Sequence, residues 1–536
     1  MGTIWVREFT GGLDTRKLAE TSKGGTLVKA IDGHINRGGE FEQRAAFVPV
    51  YKLPKGTTGL AFTKAGPVVF GSVPDPGMPD GVLYQRLQHP DGATELSAVP
   101  SFDLFSGRIF AVGRFADGDI YQFYDGKRVT NYGKNTAIVP GSPVRTFGRK
   151  LYYLTGPNLI YSNLADPTNF DPDSGTKLPD GTTTISSAPD ANGKTTTTAT
   201  TRKTNADGSV TITVVTTLPD GSSTTTTSTE PPTTLGIGAG FNDLSEEDYG
   251  SEDLIAIGRY QNYLAIFSDR TVQIRYADPD PALSKQIQAL HNTGTISARS
   301  VTEFGDTDLF YLDASGLRSL KARDASNAAV STDIGSAIDV LLTDFMGQSS
   351  PDDVRNAIGV IEPRDGRFWL AVNDTIFVFS YFPAAKVSAW TIYKPGFKVE
   401  DMIVYKRRVY LRSGDQIYVY GGLGAALQYD DTEAVAWLPY LDGDRPTETK
   451  TLQGIDAAVR GSWKIEIGMD PANLIASDKI GTITETTFMA NRISGAHQAT
   501  HFSLRFTSQG GYEPLKPAVL GSAAITYAAE SDKARS

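Results

Sequence analysis

The 536 residues contain no cysteine, which excludes a disulfide framework and any thiolate metal site. Histidine is scarce: His34, His89, His291, His497 and His501 are all there is, so general bases and imidazole ligands are few. No window reaches the uninterrupted apolar length of a membrane span. The opening MGTIWVREFTGGLDTRK has no basic region followed by an apolar run, so folding in the cytoplasm of the cell that makes the chain is expected. Basic residues form no run longer than Lys406, Arg407 and Arg408, and 51 Lys and Arg against 61 Asp and Glu leave a net charge of −10. Tight duplex binding is therefore not expected, because affinity for phosphates comes from clustered cations; DNA passing close by is compatible with this balance.

What is present points to β structure. The length predicts two or three domains or one large repetitive architecture, and 54 glycines with 29 prolines favour many turns over long helices. Short alternating apolar runs separated by polar turns recur, as in RIFAVGRFADGDIYQFYDGKRV from Arg108, RTFGRKLYYLTGPNLIYSN from Arg145 and IAIGRYQNYLAIFSDRTVQIRY from Ile255. Later come VTEFGDTDLFYLDASGLRSL from Val301, IGVIEPRDGRFWLAVNDTIFVFSY from Ile358 and MIVYKRRVYLRSGDQIYVYGG from Met402. This is the pattern of consecutive antiparallel hairpins. Starts at Val301, Ile358 and Met402 are 57 and 44 residues apart, near the spacing of propeller blades with insertions, so an all-β fold built on an irregular β-propeller is predicted. The aromatic stripe of Tyr121, Phe123, Phe377, Phe379, Tyr418 and Tyr420 has the form of a glycan or base platform but reads better as packing between sheets. One helix is predicted, with Ile334, Ile338, Leu341, Leu342 and Phe345 on one face and Asp333 as its N-cap.

Residues 176–234, from Thr176 to Thr234, are Thr-, Ser-, Asp- and Gly-rich, a composition shared with flexible linkers. Yet LPDG at Leu178 and Leu218, NADG at Asn205 and SVTITVV from Ser209 fit Asp-Gly turns between β-branched strands. A protruding β-meander is expected, with a flexible loop as the alternative. From Thr432 longer strands such as WKIEIGMD, THFSLRFTS and VLGSAAITYA predict a C-terminal β-sandwich. The expected organisation is a docking segment over 1–55, a propeller over 56–175 and 235–431, the meander over 176–234 and the sandwich over 432–536.

No catalytic, cofactor-binding or metal site is expected. His497 and His501 have HxxxH spacing, but GAHQATHFSLRF reads as a loop entering a strand and lacks the Glu of HExxH. The acidic groups DPDSG at Asp171, DPDP at Asp278 and LDGD at Leu441 match no EF-hand spacing and read as surface turns. Neither GxSxG, GxxxxGK[ST] nor the Asp box SxDxGxxW occurs. Carboxylates from distant segments can still converge in a fold, as glycoside hydrolysis requires. The Lys406 to Arg408 triplet falls at a hairpin turn, and a solvated turn or subunit contact is expected before DNA gripping.

The stretch from Ile255 to Val340 resembles the propeller region of tail nozzle proteins, the tail tubular protein B family of short-tailed bacteriophages, and the related packaged-DNA stabilisation proteins. Its carriers are Ile255, Gly258, Phe267, Ser268, Gly294, Ser300, Gly305, Asp306, Phe310, Leu312, Gly316, Arg318, Ser319 and Gly335. GGEFEQRAAF near the start, and KTLQGID and HFSLRFT near the end, are more weakly similar, so about two thirds of the chain is covered; the Thr-rich segment departs from the pattern. The resemblance implies a non-enzymatic virion protein of the tail, a homohexamer below the adaptor ring (tail tubular protein A) and beside tail fibres or spikes. It would surround the channel through which genomic DNA is ejected. A plug that seals the channel without forming the tail tip fits the same residues, and the competing class is a propeller adhesin or depolymerase for host surface glycan.

Overall fold

Alternation of period two, interrupted by Ser-Gly and Asp-Gly pairs, becomes strands joined by two-residue turns. Ser106 and Gly107 (φ 51° and 82°) and Asp125 and Gly126 (φ 53° and 79°) are left-handed pairs, the geometry that matches the twist of the flanking strands. In the computed structural model strands take 52% of the residues and helices 5%. The structure describes residues 1–132, 140–172, 180–187, 194–207, 209–230, 238–245, 252–305, 308–322, 329–488, 492–509 and 516–529. Asp306, the DSG of the first acidic cluster, and the outer limits Thr176 and Thr234 of the Thr-rich stretch lie outside them. The chain forms two compact units, Pro54–Ile334 and, around it in sequence, Met1–Leu53 with Gly335–Ser536.

The unit Pro54–Ile334 is a chain-ordered series of small sheets. A three-stranded sheet (Thr57–Phe62, Pro67–Gly71, Leu83–Arg86) precedes a four-stranded one (Leu96–Phe105, Arg108–Phe115, Ile120–Tyr124, Lys127–Arg128). Next come Val144–Phe147, Lys150–Thr155 and Asn158–Tyr161, completed by Gly240–Asp243. Two antiparallel meanders follow, Ala256–Tyr260 to Lys285–His291 and Thr302–Phe304 to Ala329–Asp333. Successive residues of a strand point to opposite faces, and here both faces are apolar. In Arg108–Phe115, Ile109, Ala111 and Phe115 meet Ala61, Val68 and Phe70 of the preceding sheet, whereas Phe110 and Val112 meet Leu151, Tyr153 and Ile160 of the following one. Tyr152 and Leu154 then face Ile257, Leu264 and Ile266, and Ala265 and Phe267 face Leu309, Tyr311 and Leu320. Three sheets are thus covered on both sides, and each large side chain so buried contributes about 1.5–3 kcal/mol.

Between Tyr161 and Gly240 the chain makes a further sheet. Gly181–Ser186, Thr197–Thr204, Val210–Thr217 and Ser223–Glu230 pair antiparallel in sequence order. Asp residues hold its bends, Asp220 accepting from the N–H and hydroxyl of Ser222 and Asp207 from those of Ser209, while Asp180, ahead of the first strand, accepts from those of Thr204 across the sheet.

In the other unit, Ile358–Glu362, Arg367–Val372, Thr375–Phe382 and Val387–Tyr393 form an antiparallel series whose core is shared with Asp401–Tyr405, Arg408–Ser413 and Gln416–Tyr420. The fourth strand of the latter sheet comes from the start of the chain, Phe47–Lys52. Other N-terminal strands are stitched among C-terminal ones: Lys29–Ile31 pairs with Val435–Trp437, and Gly2–Val6 and Phe41–Gln43 both pair with Val519–Ala529.

The predicted helix is shifted. Asp333 ends the strand Ala329–Asp333 and accepts from Arg318 at 3.0 Å, so it caps nothing. The helix is Asp339–Gln348, and its N-cap Ile338 makes no side-chain cap bond. The β-branched residues before Asp333 pair with Arg318–Ala322, and that ladder outweighs the capping signal. Ile338 and Leu342 are fully buried, and Phe345 meets the edge of Phe377 at 5.7 Å.

Candidate functional site

The residues of the 255–340 stretch serve packing and turns. A Cβ on Gly258 would stand 2.9 Å from Val301 and 3.0 Å from Leu309, and one on Gly294 would meet the Asp269 backbone at 2.4 Å, so both mark close approaches that any side chain would block. Ser268 accepts from the Thr271 N–H (2.9 Å) and donates to Glu252 (2.8 Å). Ser300 accepts from the Leu312 N–H at 3.1 Å and donates to the Ser297 carbonyl at 2.8 Å. Asp313 opens the tight turn by accepting from Ser315 N–H, and its other oxygen accepts from the Gly294 N–H. Ser268, Ser300 and Asp313 are thus engaged within the chain.

The acidic cluster at Asp278 departs from expectation. Asp278 and Asp280 are 7% and 4% exposed, not surface turns, because a cation from the Thr-rich meander covers them. Arg202 in Thr197–Thr204 reaches Asp280 at 3.0 Å and Asp278 at 3.8 Å. Asp278 also accepts from the Tyr276 hydroxyl (2.8 Å) and the Asp280 N–H (2.9 Å), and Asp280 from the Ala282 N–H. Buried charge is tolerated only with such complete partnering. Beside them a narrow cleft, with room for about one water-sized group, is lined by Lys150, Tyr161, Arg275, Asp278 and Pro281 among others. Lys150 donates to the Gly238 carbonyl at 3.0 Å. Burial pushes its ammonium down to about 8 against the pull of Asp280 and Asp278, and burial raises the Tyr161 hydroxyl to about 12. The cluster joins the meander to the Tyr276–Ser284 turn; it presents no open, substrate-sized cavity.

The remaining candidates are scattered. His497 lies 3.4 Å from Asp478, and His501 contacts Thr500 at 3.0 Å. Asp442 accepts from the Asp444 N–H at 3.0 Å in an exposed turn, as expected for LDGD; of the first acidic cluster Asp171 and Pro172 are described and 173–175 are not. Of the aromatic stripe, Phe123, Phe377, Phe379 and Tyr420 are buried, while Tyr121 and Tyr418 are half-buried, Tyr418 stacking on Phe397 at 3.9 Å. They are core and offer no platform. Lys406 and Arg407 (φ 44° and 62°) are the exposed corner of a two-residue turn in a conformation that long side chains adopt rarely.

One constellation was not singled out by sequence reading. His89 is brought against Asp117 and Asp119, which flank Gly118 at the turn between Arg108–Phe115 and Ile120–Tyr124. The available signal was an acid-Gly-acid turn downstream of a lone histidine that itself precedes a Pro-Asp-Gly turn; nothing in the spacing reveals that the two turns meet.

No helix among the described residues is long and apolar enough to cross a membrane. No family model matches the chain, and no curated protein matches it. Among solved structures, the computationally designed Ika8 protein aligns with 61% of this chain and 97% of its own at 10% identity and a TM-score of 0.23. The CNH domain of AfRom2 aligns with 63% of this chain and 90% of its own (13% identity, TM-score 0.21). The major allergen Mala s 1 of Malassezia sympodialis aligns with 53% and 94% (9% identity, TM-score 0.23), and likeness at this level carries no argument about this chain.

Proposed function

We propose that this chain is a structural, non-enzymatic subunit of a short-tailed phage virion: a nozzle protein whose homohexameric ring surrounds the DNA exit channel, retaining and then releasing the genome. The observation that carries this reading is the run of small, mostly antiparallel sheets in chain order, the three inner ones buried on both faces. Such a run is what a β-propeller needs, and the residues resembling nozzle proteins supply its close approaches and turns. The charge balance agrees. A conduit must let a polyanion slide, and walls poor in clustered Lys and Arg do not hold phosphates by counterion release. The outer strands of the Thr-rich meander, Gly181–Ser186 and Ser223–Glu230, are exposed along nearly their whole described length. In this reading the meander sits at the outer or distal rim of the ring, where neighbouring copies pair these edges.

Mass photometry of tail complexes released from virions, with negative-stain images of the same sample, tests this. Closed rings of six copies are expected. Monomers or dimers alone, above all if they depolymerise capsular glycan, would replace the nozzle by a glycan-binding adhesin.

A further inference from the structure

His89 is 9% exposed, yet its Nε2 makes no hydrogen bond. That nitrogen points at two carboxylates: Asp117 Oδ2 at 3.2 Å and Asp119 Oδ2 at 3.8 Å. The other ring nitrogen is engaged: Nδ1 accepts from the Asp91 N–H at 3.3 Å and lies 2.8 Å from Asp91 Oδ1. Asp91 is itself fixed by the N–H groups of Ala93 and Thr94 at 2.8 and 2.9 Å and by the Thr94 hydroxyl at 2.6 Å. The ring plane is set by edge contacts to Phe115 at 5.1 Å and Tyr121 at 5.4 Å. Asp117 is oriented by the Asp119 N–H (3.0 Å) and Asp119 by the Tyr121 hydroxyl (3.2 Å).

We propose that His89 Nε2, Asp117 and Asp119 bind one divalent transition-metal ion of the zinc class, with water completing its coordination. Four-coordinate zinc with bonds of about 2.0–2.1 Å separates its ligand atoms by about 3.3 Å, and the two nitrogen-to-oxygen gaps bracket that edge. A buried imidazole nitrogen with no hydrogen bond is costly; a metal ion satisfies it and neutralises the two carboxylates in one step. With Nε2 on the ion the ring proton moves to Nδ1, where Asp91 Oδ1, 2.8 Å away, can take it in place of the present acceptance from the Asp91 N–H, the outer-shell arrangement of metal-bound histidines. One nitrogen and two carboxylate ligands suit zinc, cobalt or manganese better than calcium, which takes oxygen ligands alone. Asp117 and Asp119 are largely exposed, so an ion has access from solvent. The site would clamp the His89 loop to the Asp117–Asp119 turn and does not depend on the nozzle reading.

The test uses full-length, tag-free protein stripped with chelator and titrated calorimetrically with zinc. Cobalt serves as a spectroscopic probe, and melting is followed with and without zinc. One ion per chain with a dissociation constant of about 10 μM or tighter is expected, together with visible cobalt bands of a four- or five-coordinate site and a melting temperature raised by about 2 °C or more at saturating zinc. Asp119→Asn, a change at an exposed position that leaves the fold intact, should weaken binding at least tenfold, and His89→Gln should abolish the cobalt bands. Absence of binding at 1 mM zinc in the folded wild type would overturn the proposal. So would unchanged affinity in both variants, which would place the ion elsewhere.

Discussion

The Thr-rich sheet from Gly181 to Glu230 and the two sheets from Ala256 to Asp333 share a topology: four antiparallel strands in sequence order. Their interiors have nothing in common. In the latter pair Phe267, Leu309, Tyr311 and Leu320 are completely buried in the layer between the two sheets, so burial drives folding. In the former, Ile212 is the one fully buried large apolar side chain among the described residues of its strands, and thread after thread of threonine supplies β propensity without a core. A lone meander of this kind is marginal in water. The ion cluster of Arg202 with Asp278 and Asp280 ties it to the Tyr276–Ser284 turn. One strand pattern thus occurs in two settings, over a buried apolar core in one place and beside a buried ion cluster in the other.

That contrast can be broken most forcefully at the core. Leu309→Ala should lower the unfolding free energy of its unit by about 4 kcal/mol, read as a drop in urea midpoint at unchanged slope, whereas Thr225→Ala on an exposed edge should change it by no more than about 0.5 kcal/mol. Comparable losses at the two positions would erase the distinction. The next effect belongs to the anchor. Arg202→Met strands two buried carboxylates and should cost about 3 kcal/mol, with amide exchange rising first in Thr197–Thr204 and Val210–Thr217. Adding Asp278→Asn and Asp280→Asn should recover most of the loss. A faster-exchanging meander that the added substitutions do not rescue would point to lost packing of the arginine stem instead.

The smallest effect sharpens the comparison through pH. Lys150 has a folded value of about 8, below its ordinary 10.5, so between these values the unfolded chain binds more protons than the folded one. Stability then rises with pH across that window. Wild type should gain about 2 kcal/mol over Lys150→Met between pH 7.5 and 10. A difference that is flat or falls over this range would mean the ammonium is solvated in the folded protein.

The strands were legible because their alternation is local, as in Arg108–Phe115, and because Ser106-Gly107 and Asp125-Gly126 announce their turns. Pairing between distant segments was not. Nothing in Gly2–Val6 indicates a partner at Val519–Ala529, since a two-residue period fixes the face of a strand and not its neighbour. The same blindness hid the chemistry. Asp278 and Asp280 have the composition of an exposed turn and are buried by Arg202, 78 residues before Asp280, and His89 has no local sign of Asp117 and Asp119. Asp333 fits a helix cap and a strand end equally well by residue type; only the ladder to Arg318–Ala322 decides.

The splice of the Thr-rich sheet between Tyr161 and Gly240 has a consequence for how such a protein changes over evolutionary time. Tyr161 lies directly opposite Gly240 in the ladder, so the chain returns about 5 Å from where it departs. The host sheet keeps the two ends together whatever lies between them, and the intervening sequence is free to lengthen, shrink or be exchanged for another module without a new closure cost. One constraint travels with that freedom. A replacement that still covers Asp278 and Asp280 must bring a cation in place of Arg202 or leave two buried carboxylates without one, so Arg202 and these aspartates are inherited together wherever the meander keeps that cover.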